Sequence, residues 1–150
     1  MIVSLPDVNV WTALAAGGHV HHAPARDWFV AQPTESVAFC RITQMGLLRL
    51  LTNPHVMGRA PRTTVQAWEI FAQLRADRRS VFAAEPEHVE SAWRQLMTQA
   101  RVGPSSWTDA YLAAFAEAHS YSLVTFDSGF ERWPSLRLNL LSVAQKLPGK

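Results

Sequence analysis

Along the chain, short apolar runs alternate with longer segments in which apolar residues recur at helical spacing. Ile2 to Leu5 is a short, mostly apolar run closed by Pro6-Asp7. Val8 to Ala16 then lacks strict alternation, which predicts a strand feeding directly into a helix. A second helix is expected from His21 to Gln32, stopped by Pro33. Ser36 to Phe39 has the length of another buried strand. In RITQMGLLRLLTNP, which follows, Ile42, Met45, Leu48 and Leu51 share a helical face until Asn53-Pro54 ends it. Leu47 and Leu50 widen that stripe, so this helix is expected between two layers or at a subunit contact.

Thr63 to Asp77 repeats apolar residues at Val65, Trp68, Phe71 and Leu74, and SVFAAE after it reads as a strand. Val89, Ala92, Trp93, Leu96, Met97 and Ala100 form the clearest helical stripe. Gly103-Pro104 punctuates, Ser106 to Ala118 predicts a further helix, SLVTFD a buried strand ending at Asp127, and Leu136 to Leu141 a last strand. Strands alternating with helices predict an α/β fold: a largely parallel sheet covered by helices on both faces. With no internal repeat and no long linker, residues 1–150 are expected to form one domain.

Composition places the 150 residues, 48% hydrophobic and 17% charged, among globular chains rather than disordered ones. The single Cys40 excludes a disulfide framework and a Cys-rich zinc site. No run reaches the roughly 18 to 20 apolar residues of a membrane span, and Asp7 interrupts the stretch a signal peptide would need. An intracellular, cytoplasmic protein is expected. The net charge of +2 is unevenly spread. Residues 41–79 hold seven arginines against Glu69 and Asp77, a balance of +5 that leaves −3 on the rest. Arginine supplies 12 of the 14 basic residues, and its planar fork suits phosphate, so a nucleic-acid partner and a solvated helix face are both open on charge alone.

Ligands of open parallel sheets bind beyond the carboxyl ends of the strands, which directs attention to Asp7 and Asp127. Asp109, in SSWTDAYLAAFAEA, is a third carboxylate with apolar neighbours. Singly, each reads as a cap: Asp7 and Asp127 at the start of a helix or turn, Ser106 with Asp109 as a capping box. Together they lie where strand ends and a helix start converge on one cleft. Three carboxylates about 5 Å apart repel by about 3 kcal/mol per pair at an effective dielectric of roughly 20. Such a cluster must take up protons or hold a cation. Hard oxygen ligands without Cys or organised His point to Mg²⁺ or Mn²⁺, and hence to phosphodiester hydrolysis by a metal-activated water. Thr125 and Asn9 are placed to orient a water or phosphate oxygen. His19, His21 and His22 lack a nearby carboxylate or Cys partner, and the six tryptophans read as core or interface anchors.

In their order and spacing, PDVNVW, RITQMGLLRLLTNP, WTDAYLAAFA and LVTFDSGF resemble the PIN-domain ribonuclease toxins of the VapC family, over almost the whole chain. The resemblance implies a PIN-like three-layer fold with a mostly parallel central sheet. It also implies a Mg²⁺- or Mn²⁺-dependent endoribonuclease, a cognate antitoxin that neutralises it, and a homodimer. The family's first, third and fourth acidic positions fall on Asp7, Asp109 and Asp127, the expected metal ligands, with Thr125 beside them as a catalytic candidate. The second, usually Glu, falls on Gln44, which offers a neutral oxygen; this favours one ion held mainly by Asp7 and Asp109. Arg41 and Arg49 are the expected contacts to the RNA backbone. A receiver domain would need a Lys in the cleft, yet the only lysines are Lys146 and Lys150 at the tail. A dehalogenase-type phosphatase would need Asp-x-Asp where this chain has Asp7-Val8-Asn9. A PIN-like module that binds RNA or protein without catalysis is the rival.

Overall fold

The computed structural model describes residues 1–57, 61–99 and 102–142. Five short strands, β1 (Ser4–Pro6), β2 (Val37–Phe39), β3 (Ser80–Phe82), β4 (Ser122–Thr125) and β5 (Leu138–Leu140), form one sheet in the order β3-β2-β1-β4-β5. Every pairing is parallel. Helices α1 (Val8–Ala15), α2 (His22–Val30), α3 (Arg41–Thr52), α4 (Pro54–Met57) and α5 (Thr64–Ala76) connect the first three strands; α6 (Val89–Gln99) and α7 (Trp107–His119) connect β3 to β4. Single 3-10 turns occupy Pro104–Ser106 and Ser128–Arg132.

Alternation along the strands divides the core into two layers. Leu5, Ala38 and Leu123 face one way, against α6, α7 and the buried Phe130 and Trp133. Val37 and Phe39 face the other, against Trp11, Phe29, Leu47, Leu51 and Ala67. On that side Trp11 stacks on Phe39 with centroids 3.6 Å apart and planes 11° from parallel. The expected three-layer architecture is present, with the sheet wholly parallel rather than mostly so.

Two helices turn differently from the expectation. In α3 the buried side is Thr43, Gln44, Gly46, Leu47 and Leu51, while Met45 is exposed, because the helix packs both on the sheet and on α1. In α5 only Ala67 is buried, and Val65 and Trp68 point outward. Trp11 and Trp133 are core anchors, whereas Trp68 and Trp107 are exposed. Helix α4 is hidden in the sequence by Pro54, which reads as a stop but here occupies the first turn of a new helix, where a missing N–H does no harm. Ala100, Arg59, Lys146 and Lys150 lie outside the described residues. Among the described residues no helix is long and apolar enough to cross a membrane.

Candidate active site

Strands β1 and β4 are the neighbours at which the sheet reverses its winding, and Asp7 N donates to Val124 O at 2.8 Å, so both strands stop at the same level. Such a switch point opens a crevice beyond the strand ends. Asp7 sits there as the N-cap of α1, its Oδ1 accepting from Val8 N at 2.7 Å. Its Oδ2 accepts from the hydroxyl of Thr125 at 3.0 Å. That hydroxyl accepts in turn from Asn9 Nδ2 at 3.2 Å and from Asp127 N at 3.0 Å, while Asn9 Oδ1 accepts from Phe126 N at 3.3 Å.

This network changes the roles of two candidates. Thr125 is fully buried and its one proton is committed to Asp7. Asn9 is engaged through both ends of its amide. The expectation that they orient a water or phosphate oxygen gives way to positioning: they fix Asp7 and the chain that carries Asp127. Asp127 also caps its own 3-10 turn, accepting from Gly129 N at 2.8 Å.

Asp109 enters from the first turn of α7. The capping box read from Ser106 and Asp109 does not form; Ser106 Oγ instead accepts from Arg132 Nη1 at 2.8 Å. Among the described residues Asp109 makes no side-chain hydrogen bond or close ion pair. Capping therefore explains Asp7 and Asp127 in part and Asp109 not at all. Arg132, which also donates through Nε to Gly129 O at 2.6 Å, is a charged neighbour of Asp109 that no pattern in the sequence marks. Only the closeness of the 128–132 turn to the start of α7 brings its charge within range of Asp109.

The acids sense one another. Burial pushes the Asp7 carboxyl up to about 6. The hydrogen bonds from Val8 N and Thr125 pull it back, and the charges of Asp109 and Asp127 raise it further. Asp109 is also raised, first by burial and then by Asp127, against the opposing pull of Arg132. Three carboxylates from separate stretches thus share one field. Among the described residues no three His, Cys, Asp or Glu side chains form a ready-made metal cage. The donor chemistry nonetheless suits a hard divalent cation: oxygen ligands only, mutual repulsion that such a charge relieves, and an Asp109 with no hydrogen-bond partner among the described residues.

Gln44 is buried, and its Oε1 accepts from Arg41 Nη1. That bond occupies one of the two acceptor positions of its neutral oxygen, and among the described residues the amide Nε2 has no hydrogen-bond partner. Arg41 itself is exposed, its guanidinium 4.9 Å from the centre of the Phe82 ring. Arg49 stands in the last turn of α3, about 12 Å along the helix axis from Arg41, and the fold does not bring it to the carboxylates. The histidine segment is absorbed locally: His19 Nδ1 accepts from His21 N, the His22 ring bonds Ala13 O, and His21 stacks on Phe126.

A sequence profile of the PIN domain matches residues 4–136. The chain is 43% identical over 143 residues to Ribonuclease VapC41 of Mycobacterium tuberculosis, covering 92% of this chain and 98% of that relative. It is 34% identical over 145 residues to Ribonuclease VapC38 of the same organism, covering 94% and 99%. Among solved structures, VapBC2 from Rickettsia felis bound to a DNA fragment from its promoter aligns with a TM-score of 0.69 at 15% identity, over 94% of this chain and 100% of that one. Mycobacterium tuberculosis VapC20, described as a sarcin-ricin loop cleaving toxin, aligns at 0.63 and 22% identity, over 85% and 92%. The chain belongs to the PIN-domain family, in its VapC branch.

Proposed function

We propose that this protein is a divalent-metal-dependent endoribonuclease, the toxin of a toxin-antitoxin pair, acting as a homodimer on RNA. The observation that carries this reading is the electrostatic coupling of Asp7, Asp109 and Asp127, with Asp7 at the switch point of the sheet. Its likeness to proteins named ribonucleases over nearly the full chain supports the substrate class. Structures solved as VapBC complexes support an antitoxin partner, and the outward Val65 and Trp68 on α5 support association of two copies.

In this reading Asp7 and Asp109 hold Mg²⁺ or Mn²⁺, with Asp127 as a third ligand. When bound, the ion supplies charge neutralisation at the scissile phosphate and a lowered pKa for the attacking water. The chain's own residues do the rest. Thr125 and Asn9 fix Asp7, Arg132 tempers the repulsion between Asp109 and its neighbours, and Arg41, without a carboxylate partner among the described residues, meets the RNA backbone. Gln44, uncharged and bonded to Arg41, favours a module that binds without cutting, and one assay decides between the two. Purified protein with Mg²⁺ or Mn²⁺ is expected to cut RNA internally, chelation to stop it, and Asp7→Ala to abolish it. RNA left intact by the wild-type protein with either metal leaves the binding module as the answer.

A further inference from the structure

A cleft of about 440 Å³ lies between the starts of α3 and α7, and none of Asp7, Asp109 and Asp127 lines it. Its walls include Arg41, Met45, Glu85, Trp93, Trp107 and Tyr111. Trp107 is 53% exposed, although it stands only two residues before Asp109 in the first turn of α7. It is held rather than loose. Its carbonyl accepts from Trp93 Nε1 at 2.9 Å, and the two indoles meet edge to face at 5.9 Å and 86°. The polar functions of the cleft are equally fixed. Tyr111 donates its hydroxyl to Glu85 Oε2, which leaves Glu85 Oε1 free to accept. Arg41 and Arg75 both lie over the Phe82 ring, at 4.9 and 5.8 Å, and neither has a carboxylate partner among the described residues.

We infer that this cleft is a nucleotide subsite. It holds one base of an RNA strand, stacked on Trp107, with the phosphate of that residue on Arg41; in the nuclease reading that residue lies near the scissile phosphate. The inference rests on the nuclease reading for its ligand, RNA, and Trp107 and Asp109 stand in the same first turn of α7. A nucleotide matches what the cleft leaves unsatisfied: one flat apolar surface and one anion for an unpaired guanidinium. The volume falls within the range of pockets that take small molecules of that size. An apolar peptide would cover the indole and leave Arg41 without a counter-charge. The free oxygen of Glu85 adds a preference, since a carboxylate accepts from an exocyclic amino group and is repelled by the carbonyls of uracil. Bases bearing an amino group are therefore favoured at this position over uracil.

The test measures binding of fluorescently labelled RNA hexamers by anisotropy in chelator, so that no cleavage interferes, beside a separate cleavage assay with Mg²⁺ or Mn²⁺. Trp107→Ala is expected to weaken binding of cytidine and adenosine hexamers by about tenfold, with Trp107→Phe retaining most of the affinity. An abasic hexamer of equal charge is expected to bind wild type and Trp107→Ala alike. Glu85→Gln is expected to narrow the gap between cytidine and uridine hexamers. Unchanged affinity in a folded Trp107→Ala protein overturns the subsite even where wild type cuts RNA. So does a loss confined to binding of the antitoxin, which would make the cleft a protein-docking groove, and so does a failure of wild type to bind any hexamer. Wild-type binding that depends on Trp107 without any cleavage sustains the subsite and overturns the nuclease reading instead.

Discussion

The hydroxyl of Thr125 donates to Asp7 Oδ2 at 3.0 Å, joining residues 118 positions apart at the ends of the two central strands. The same oxygen accepts from Asn9 and from the backbone of Asp127, so one buried hydroxyl ties together the strand end, the first helix and the turn bearing another carboxylate. Thr125→Val keeps the shape and strands these groups. Unfolding free energy measured in urea is expected to fall by about 1–3 kcal/mol. Asp7 loses a bond that favours its charged form, so the acidic limb of the cleavage rate should move to higher pH. Thr125→Ser should restore both. A limb that stays in place in Thr125→Val would show that Asp7 is not the group titrating there.

Metal-free protein is expected to lose stability as pH rises through the window set by Asp7. The carboxyl has a value of about 6 in the folded chain against 3.8 as the ordinary value. Between those limits the native state holds more protons than the unfolded one, so stability is greatest at the acidic end and declines toward neutrality. The contribution is about 3 kcal/mol. Urea titrations in chelator from pH 4.5 to 7 should show this decline, Asp7→Asn should flatten it, and Mg²⁺ at pH 7 should recover much of the loss. An Asp7→Asn protein with an undiminished decline would assign it elsewhere.

Asp109→Asn is expected to raise the melting temperature in chelator while abolishing cleavage. The residue contributes no cap or hydrogen bond that the amide would forfeit, and its charge opposes both burial and Asp127. A lowered melting temperature would mean that Arg132 stabilises Asp109 more than burial and Asp127 oppose it.

The strands and most helices are legible in the sequence because each obeys a short-range rule, and Asp7 and Asp127 are legible because they follow strands. Convergence of Asp109 is legible only as topology, through the parallel order of β1 and β4. What the chain does not disclose are relationships set by packing. Arg132 comes within electrostatic range of Asp109 because the 128–132 turn bonds Ser106 at the start of α7, and Gln44 accepts from Arg41 because both stand in the first turns of one helix. The stripe on α3 misleads because that helix is apolar on two sides, and pattern alone does not say which side the sheet claims.

At Gly46, α3 packs closely against the helix that Asp7 caps. A Cβ there would lie 2.5 Å from Val8 Cγ2 and 3.2 Å from Cγ1, and a β-branched side chain inside a helix has little freedom to turn away. Gly46→Ala is expected to destabilise by about 1–3 kcal/mol and to lower cleavage, since Val8 carries the N–H that holds Asp7. Val8→Ala in the same chain should recover most of both losses. Additive losses in the double variant would place the strain elsewhere.

Gln44→Glu distinguishes a metal role from a backbone-binding role at the position where the family usually carries an acid. In this structure the side chain faces Arg41, so a carboxylate there converts a hydrogen bond into an ion pair and neutralises the guanidinium that the proposed nucleotide cleft relies on. Binding of RNA at low salt is expected to weaken, and the slope of log affinity against log salt to become shallower by about one, as for the loss of one phosphate contact. Gln44→Met, similar in size and without charge, frees Arg41 and should leave that slope unchanged. If the introduced carboxylate instead turns to the ion, Mg²⁺-dependent cleavage should rise at an unaltered salt slope, and the pairing of residue 44 with Arg41 would then be secondary to the carboxylate cluster.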